Sequence, residues 1–177
     1  SFKAIPEFAD TFGANHANAL ISLSQVSETL CILLIPFCLK RFGIKRVMLI
    51  AMFAWVLRFG FFGVGTTTTT IGIVLLIASC LVYGVAFDFF NVSGSLFVDK
   101  ETPENMRSSA QGLFILMTNG LGASIGVIAA QEVVNHFTAN QTNFAGWTSA
   151  WYIFAGYALV IAVLFAVVFK EKKANNA

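Results

Sequence analysis

Charge is what this sequence has least of. Lysine, arginine, aspartate and glutamate together make up 11% of its 177 residues, where a soluble domain carries about 25%. The remainder is apolar enough, at 57% hydrophobic residues and a mean hydropathy of +0.77, to fit a polytopic membrane protein instead. A net charge of +2 gives no reason to expect a nucleic-acid partner. Histidine is equally scarce: His16 and His136 stand apart near separate loops, so they supply neither a metal cluster nor a nucleophile–base pair. Cys31, Cys38 and Cys80 are embedded in apolar runs without metal-ligand spacing and read as small buried hydrophobes. With no Gly-rich phosphate loop and no facing carboxylates either, the sequence predicts no cofactor, no metal, no catalytic residue and no enzyme. The opening residues SFKAIPEFAD lack the basic-then-apolar order of a signal peptide, and no initiator Met precedes them. The sequence is therefore expected to begin inside a longer protein.

What is present is a series of long apolar runs. They extend from about Ala17 to Leu39, Val47 to Val64, Ile71 to Val98, Met106 to Val134 and Trp147 to Phe169. Each meets the roughly 20 residues that a bilayer crossing needs. The last, WYIFAGYALVIAVLFAVVF, has no polar face at all, which a soluble core helix would require. The predicted fold class is all-α, a bundle of five transmembrane helices over residues 17–173. Residues 1–16 are expected to form an external loop or interfacial segment, and 174–177 a short tail. Pro103 is expected to begin the fourth helix rather than extend the third, and the run Thr66–Thr70 to form a hairpin loop. Asn140-Gln141-Thr142 fits a glycosylation sequon that matters only in a eukaryotic host.

Orientation follows from the positive residues. If the spans alternate, Lys40, Arg41, Lys45, Arg46, Lys100, Arg107, Lys170, Lys172 and Lys173 fall on one side, with Lys3 opposite. By the positive-inside bias that side, and with it the C-terminus, is expected to be cytoplasmic.

Polar residues inside the spans are the candidates for function, because a carboxylate at membrane depth usually faces a protein interior or a watery cavity. Ser22, Gln25, Glu28 and Thr29 cluster within about 120° on the first span. Glu28 sits near the midplane, with Gln25 one turn outward, and is a candidate proton carrier. On the third span Tyr83, Phe87, Asp88 and Asn91 fall within about 140° of one another, a face read as the lining of a solute pathway. Tyr83 and Phe87 could stack on a flat ring while the Tyr hydroxyl donates a hydrogen bond. Arg58, the basic residue within a span, either pairs with Glu28 or Asp88 or else caps carbonyls or extends outward. Asn119 is a further candidate for the same cavity. Gly122 to Gly126 forms a small-residue stripe of the helix-packing type.

Several stretches together resemble a known family. SQVSETL at Ser24–Leu30, RFGIK at Arg41–Lys45, AWVLRF at Ala54–Phe59, YGVAFDFFN at Tyr83–Asn91, RSSAQG at Arg107–Gly112 and MTNG at Met117–Gly120 are similar to the C-terminal half of the bacterial nucleoside:proton symporters. These belong to the major facilitator superfamily. The resemblance runs from about Leu20 to Phe169. It implies that the spans are helices 8–12 of a twelve-helix fold in the bacterial inner membrane, completed by an N-terminal half and a seventh helix that this chain lacks. It further implies nucleoside and proton as partners, Gln25, Glu28, Tyr83 and Phe87 as substrate-binding residues, and Glu28 or Asp88 as the proton-coupling acid. Arg58, Asn91 and Asn119 would support them. A carrier for a sugar or organic ion, and a non-transporting membrane subunit, remain as alternatives.

Overall fold

The computed structural model describes residues 12–65, 69–139 and 145–169, and among them every regular element is helical. After a single turn at Phe12–Asn15 come α1 (Ala17–Phe42), α2 (Ile44–Val64) and α3 (Thr70–Glu101). The fourth span begins with a 3₁₀ turn at Glu104–Met106 and continues as α4 (Arg107–Ile115). A π-helical stretch at Leu116–Gly122 then leads into α5 (Ala123–Phe137), and α6 covers Gly146–Val168. Five helical stretches are long and apolar enough to cross a membrane.

The helix ends follow local chemistry. The basic stretch Lys40–Arg46, between the first two apolar runs, is almost entirely helical, because one residue makes the turn. Gly43 takes φ 78°, which a side chain would resist, while its N–H donates to the Leu39 carbonyl at 3.0 Å. Of the threonine run, 66–68 lie outside the described residues, but Thr69 caps α3 by accepting from the Gly72 N–H at 3.1 Å. Pro103 stands at the N-cap of the 3₁₀ turn that opens the fourth span. The Asn140 sequon and the basic tail from Lys170 lie outside the described residues.

Three helices make the core. Cys31 and Ile35 of α1, Val47 and Ala51 of α2, and Phe89 of α3 form one buried cluster. Most other buried positions are small, including Ala54, Gly63, Ser79, Gly84, Ala86, Ser93 and Gly94. Small residues let helix backbones approach where lipid supplies no hydrophobic drive between helices. The outer faces carry Leu33, Ile71, Val163, Val167 and Val168, all exposed, as lipid contact requires.

α6 packs on α2 largely through aromatic rings. Trp151 meets Phe62 at 4.8 Å and Phe59 at 6.1 Å between ring centroids. Phe59 in turn meets Trp55 at 5.4 Å, and Trp55 meets Tyr83 of α3 edge-on at 5.9 Å. At the opposite end of the bundle the Lys45 ammonium donates to the Ala166 carbonyl at 3.0 Å, and Phe97 packs on Phe169 at 4.8 Å. The α1–α2 turn, the end of α3 and the end of α6 therefore lie together, which gathers Lys40, Arg41, Lys45, Arg46 and Lys100 at one end.

The fourth span is different. None of its helical residues is buried. It is fastened near its start, where Ser95 Oγ donates to Gln111 Oε1 at 2.8 Å and Gln111 Nε2 donates to the Ser95 carbonyl at 2.7 Å. Arg107 and Asp99 form an ion pair of 3.7 Å close by. The Gly122–Gly126 stripe, expected to pack on a helix, meets none among the described residues: Gly126 has no atom of another element within 4 Å of where a Cβ would stand.

Candidate functional site

α1 and α3 come into backbone contact where Gly84 meets Ser27. A Cβ at Gly84 would stand 2.7 Å from the Ser27 carbonyl oxygen and 2.7 Å from the Glu28 backbone nitrogen. The Ser27 hydroxyl donates to the Leu81 carbonyl across the same contact. This crossing sets Glu28 of α1 beside the stretch of α3 that carries Tyr83 and Asp88.

The result is one cluster of polar groups, with Glu28, Arg58 and Asp88 within electrostatic reach of Tyr83 and Glu28 within reach of Asp88. Glu28 is half-buried, whereas Asp88 is only 7% exposed. Asp88 Oδ2 has no hydrogen-bond partner among the described residues. A buried carboxylate oxygen left unpaired is costly and uncommon.

The four residues of the α3 face divide by depth. Asp88 turns into the packed side near α1, within electrostatic reach of Cys31. Phe87, 37% exposed, and the half-buried Asn91 instead line an open cleft of about 370 Å³ between α3 and the fourth span. Ser95, Phe114 and Asn119 line it too, so Asn91 and Asn119 are brought to one cleft from different spans. Asn91 donates to the Phe87 carbonyl at 2.9 Å in its own helix. Asn119 belongs to the π-helical stretch, a geometry often found at functional sites. Tyr83 and Phe87 stack at 5.7 Å with 21° between their planes. Gln25 is exposed one turn from Glu28, and the hydroxyls of Ser22 and Thr29 bond back to carbonyls of their own helix.

Of the two readings left open for Arg58, the structure realises carbonyl capping. Nη1 donates to the Ser79 carbonyl at 3.3 Å, and no acid pairs with it among the described residues. Its charge lies instead among aromatic rings, with Cζ 4.3 Å from the Tyr83 centroid, 5.4 Å from Phe62 and 5.7 Å from Trp55. Sequence reasoning missed Trp55 and Phe62 as parts of this arrangement. The signal was the spacing of Trp55, Arg58, Phe59 and Phe62, which puts all of them on one stripe of α2.

A family model described as "Nucleoside H+ symporter" matches residues 4–174. The chain belongs to that family. Among curated proteins the chain is 51% identical over 172 residues to the nucleoside permease NupG of Escherichia coli K12, covering 97% of the chain and 40% of the relative. It is 52% identical over 169 residues to the xanthosine permease of the same organism, covering 96% of the chain and 40% of the relative. A crystal structure of the nucleoside transporter NupG superposes with a TM-score of 0.85 at 50% identity, over 97% of this chain and 42% of that one. The five-span all-helical bundle is thus part of a major facilitator fold in a multi-pass membrane protein, and the named relatives are transporters rather than enzymes. The chain spans about two-fifths of the length of the curated relatives it matches.

Proposed function

We propose that the whole protein carries nucleosides together with protons across the bacterial inner membrane by alternating access. This chain supplies one wall of the site at the midplane, and the remainder of the protein supplies the facing wall. Gln25, Glu28 and Tyr83 hold the ribose and base, Phe87 stacks on the base, and Glu28 or Asp88 carries the proton. Arg58, Asn91 and Asn119 support the site. The basic ends gathered near Gly43 and Lys100 face the cytoplasm, and the C-terminus lies on that side.

The observation that carries this reading is the junction at Tyr83. A stacked aromatic pair offers a flat ring a partner, and two carboxylates within electrostatic reach of the same Tyr can accept from sugar hydroxyls or hold a proton. A buried oxygen of Asp88 without a hydrogen-bond partner among the described residues supports proton binding at that acid. The family and the names of the relatives support nucleosides as the solute class.

The test is uptake of labelled uridine by cells that lack other nucleoside carriers and express the full-length protein. Excess unlabelled nucleosides should abolish uptake while sugars and organic ions leave it unchanged. Displacement by sugars but not by nucleosides would assign the cavity to another solute.

A further inference from the structure

Arg58 lies inside a membrane span without an acid to pair with among the described residues, and what holds it there also holds Tyr83. Its guanidinium stands 4.3 Å from the Tyr83 ring centroid while donating to the Ser79 carbonyl at 3.3 Å. Trp55, one turn away on the same stripe of α2, meets the Tyr83 ring edge-on at 5.9 Å. Tyr83 is thus contacted from a neighbouring helix by a cation and by an indole, in addition to Phe87 of its own helix. A Tyr side chain has two torsions to fix, and fixing them before the solute arrives removes an ordering cost from binding. The planar guanidinium suits this position better than an ammonium because it can face a ring and bond a carbonyl at once.

We infer that Trp55 and Arg58 are positioning residues that pre-set the Tyr83 ring for the nucleoside, so that α2, which supplies no binding residue to the site described above, governs nucleoside affinity. The inference rests on the reading of Tyr83 as a substrate-binding residue. It assigns the effect to KM rather than to the rate of turnover, because the brace acts on the geometry of the ring that binds the solute.

The experiment measures uridine uptake by the full-length protein, with surface amount quantified for each variant. Arg58→Gln keeps a planar N–H donor and removes the cation. It should raise KM by about tenfold, in the range of a desolvated cation–π contact, with maximal rate per transporter changed by less than about twofold. Arg58→Lys should fall between the two. In a Tyr83→Ala background, Arg58→Gln should add less than about twofold, since residues acting through one another are not additive. Should Arg58→Gln fail to reach the membrane, Trp55→Ala carries the same test, with a several-fold rise in KM that also disappears in the Tyr83→Ala background. An unchanged KM in the single variants, or a full additive effect without Tyr83, would overturn the brace. A Tyr83→Ala protein with normal KM would instead remove Tyr83 from the binding site, and with it the reading on which the brace stands.

Discussion

Gly84 lies so close to Ser27 that a single added carbon would stand 2.7 Å from the Ser27 carbonyl oxygen. The two helices that carry Glu28 and Asp88 are therefore set at their distance by the absence of a side chain. Gly84→Ala in the full-length protein should lower stability by about 1–3 kcal/mol, the usual range for forcing extra volume into a packed contact. Uridine uptake should fall more steeply than stability, because Glu28 is displaced from Tyr83 and Asp88. Thermal melting in detergent and uptake per transporter measure the two effects. Gly112→Ala is the comparator: among the described residues nothing of another element lies within 4 Å of its added carbon, and both losses should be smaller than at Gly84.

Ser27 crosses the same contact with a hydrogen bond to the Leu81 carbonyl. Such bonds between membrane helices average only about 0.6 kcal/mol. Ser27→Ala should therefore cost under about 1 kcal/mol in melting experiments and leave uridine KM nearly unchanged. A loss as large as that of Gly84→Ala would mean that the hydroxyl, rather than close backbone contact, holds α1 against α3.

The fourth span is fastened near its start by the reciprocal pair of Ser95 and Gln111. Gln111→Ala removes both bonds and leaves the Ser95 hydroxyl without that acceptor. Hydrogen exchange across Arg107–Ile115 should accelerate, while exchange in α1 and α2, which share none of these bonds, should not change. Unaltered protection of Arg107–Ile115 would show that contacts other than this pair hold it.

Much of this was legible in the residues themselves. Length and hydropathy were enough to find the five spans, and the intramembrane positions of Glu28, Asp88 and Arg58 marked the site. Helical angles put Asp88 on one face with Phe87 and Asn91, but at that resolution they could not separate a residue turned toward α1 from its neighbours opening to the cleft. That division depends on where α1 crosses α3, which Gly84 decides and no periodicity shows. The partner of Arg58 was left open for a similar reason: the choice between an acid and a set of rings is made by packing across three helices. The Gly122–Gly126 stripe looked like a packing face, yet the chain has no described helix to meet it. Hydropathy ends the first apolar run at Leu39 and resumes at Val47, and it cannot show that a single glycine at positive φ makes the turn between them.

The proton is the centre of the account, and it is tested in proteoliposomes of the full-length protein under an imposed pH gradient. Asp88→Asn and Glu28→Gln are compared with the unaltered protein for uphill uridine accumulation and for exchange of uridine at equal pH on both sides. At least one of the two variants is expected to lose gradient-driven accumulation while retaining exchange. Normal gradient-driven accumulation in both would contradict the assignment of the proton to these acids.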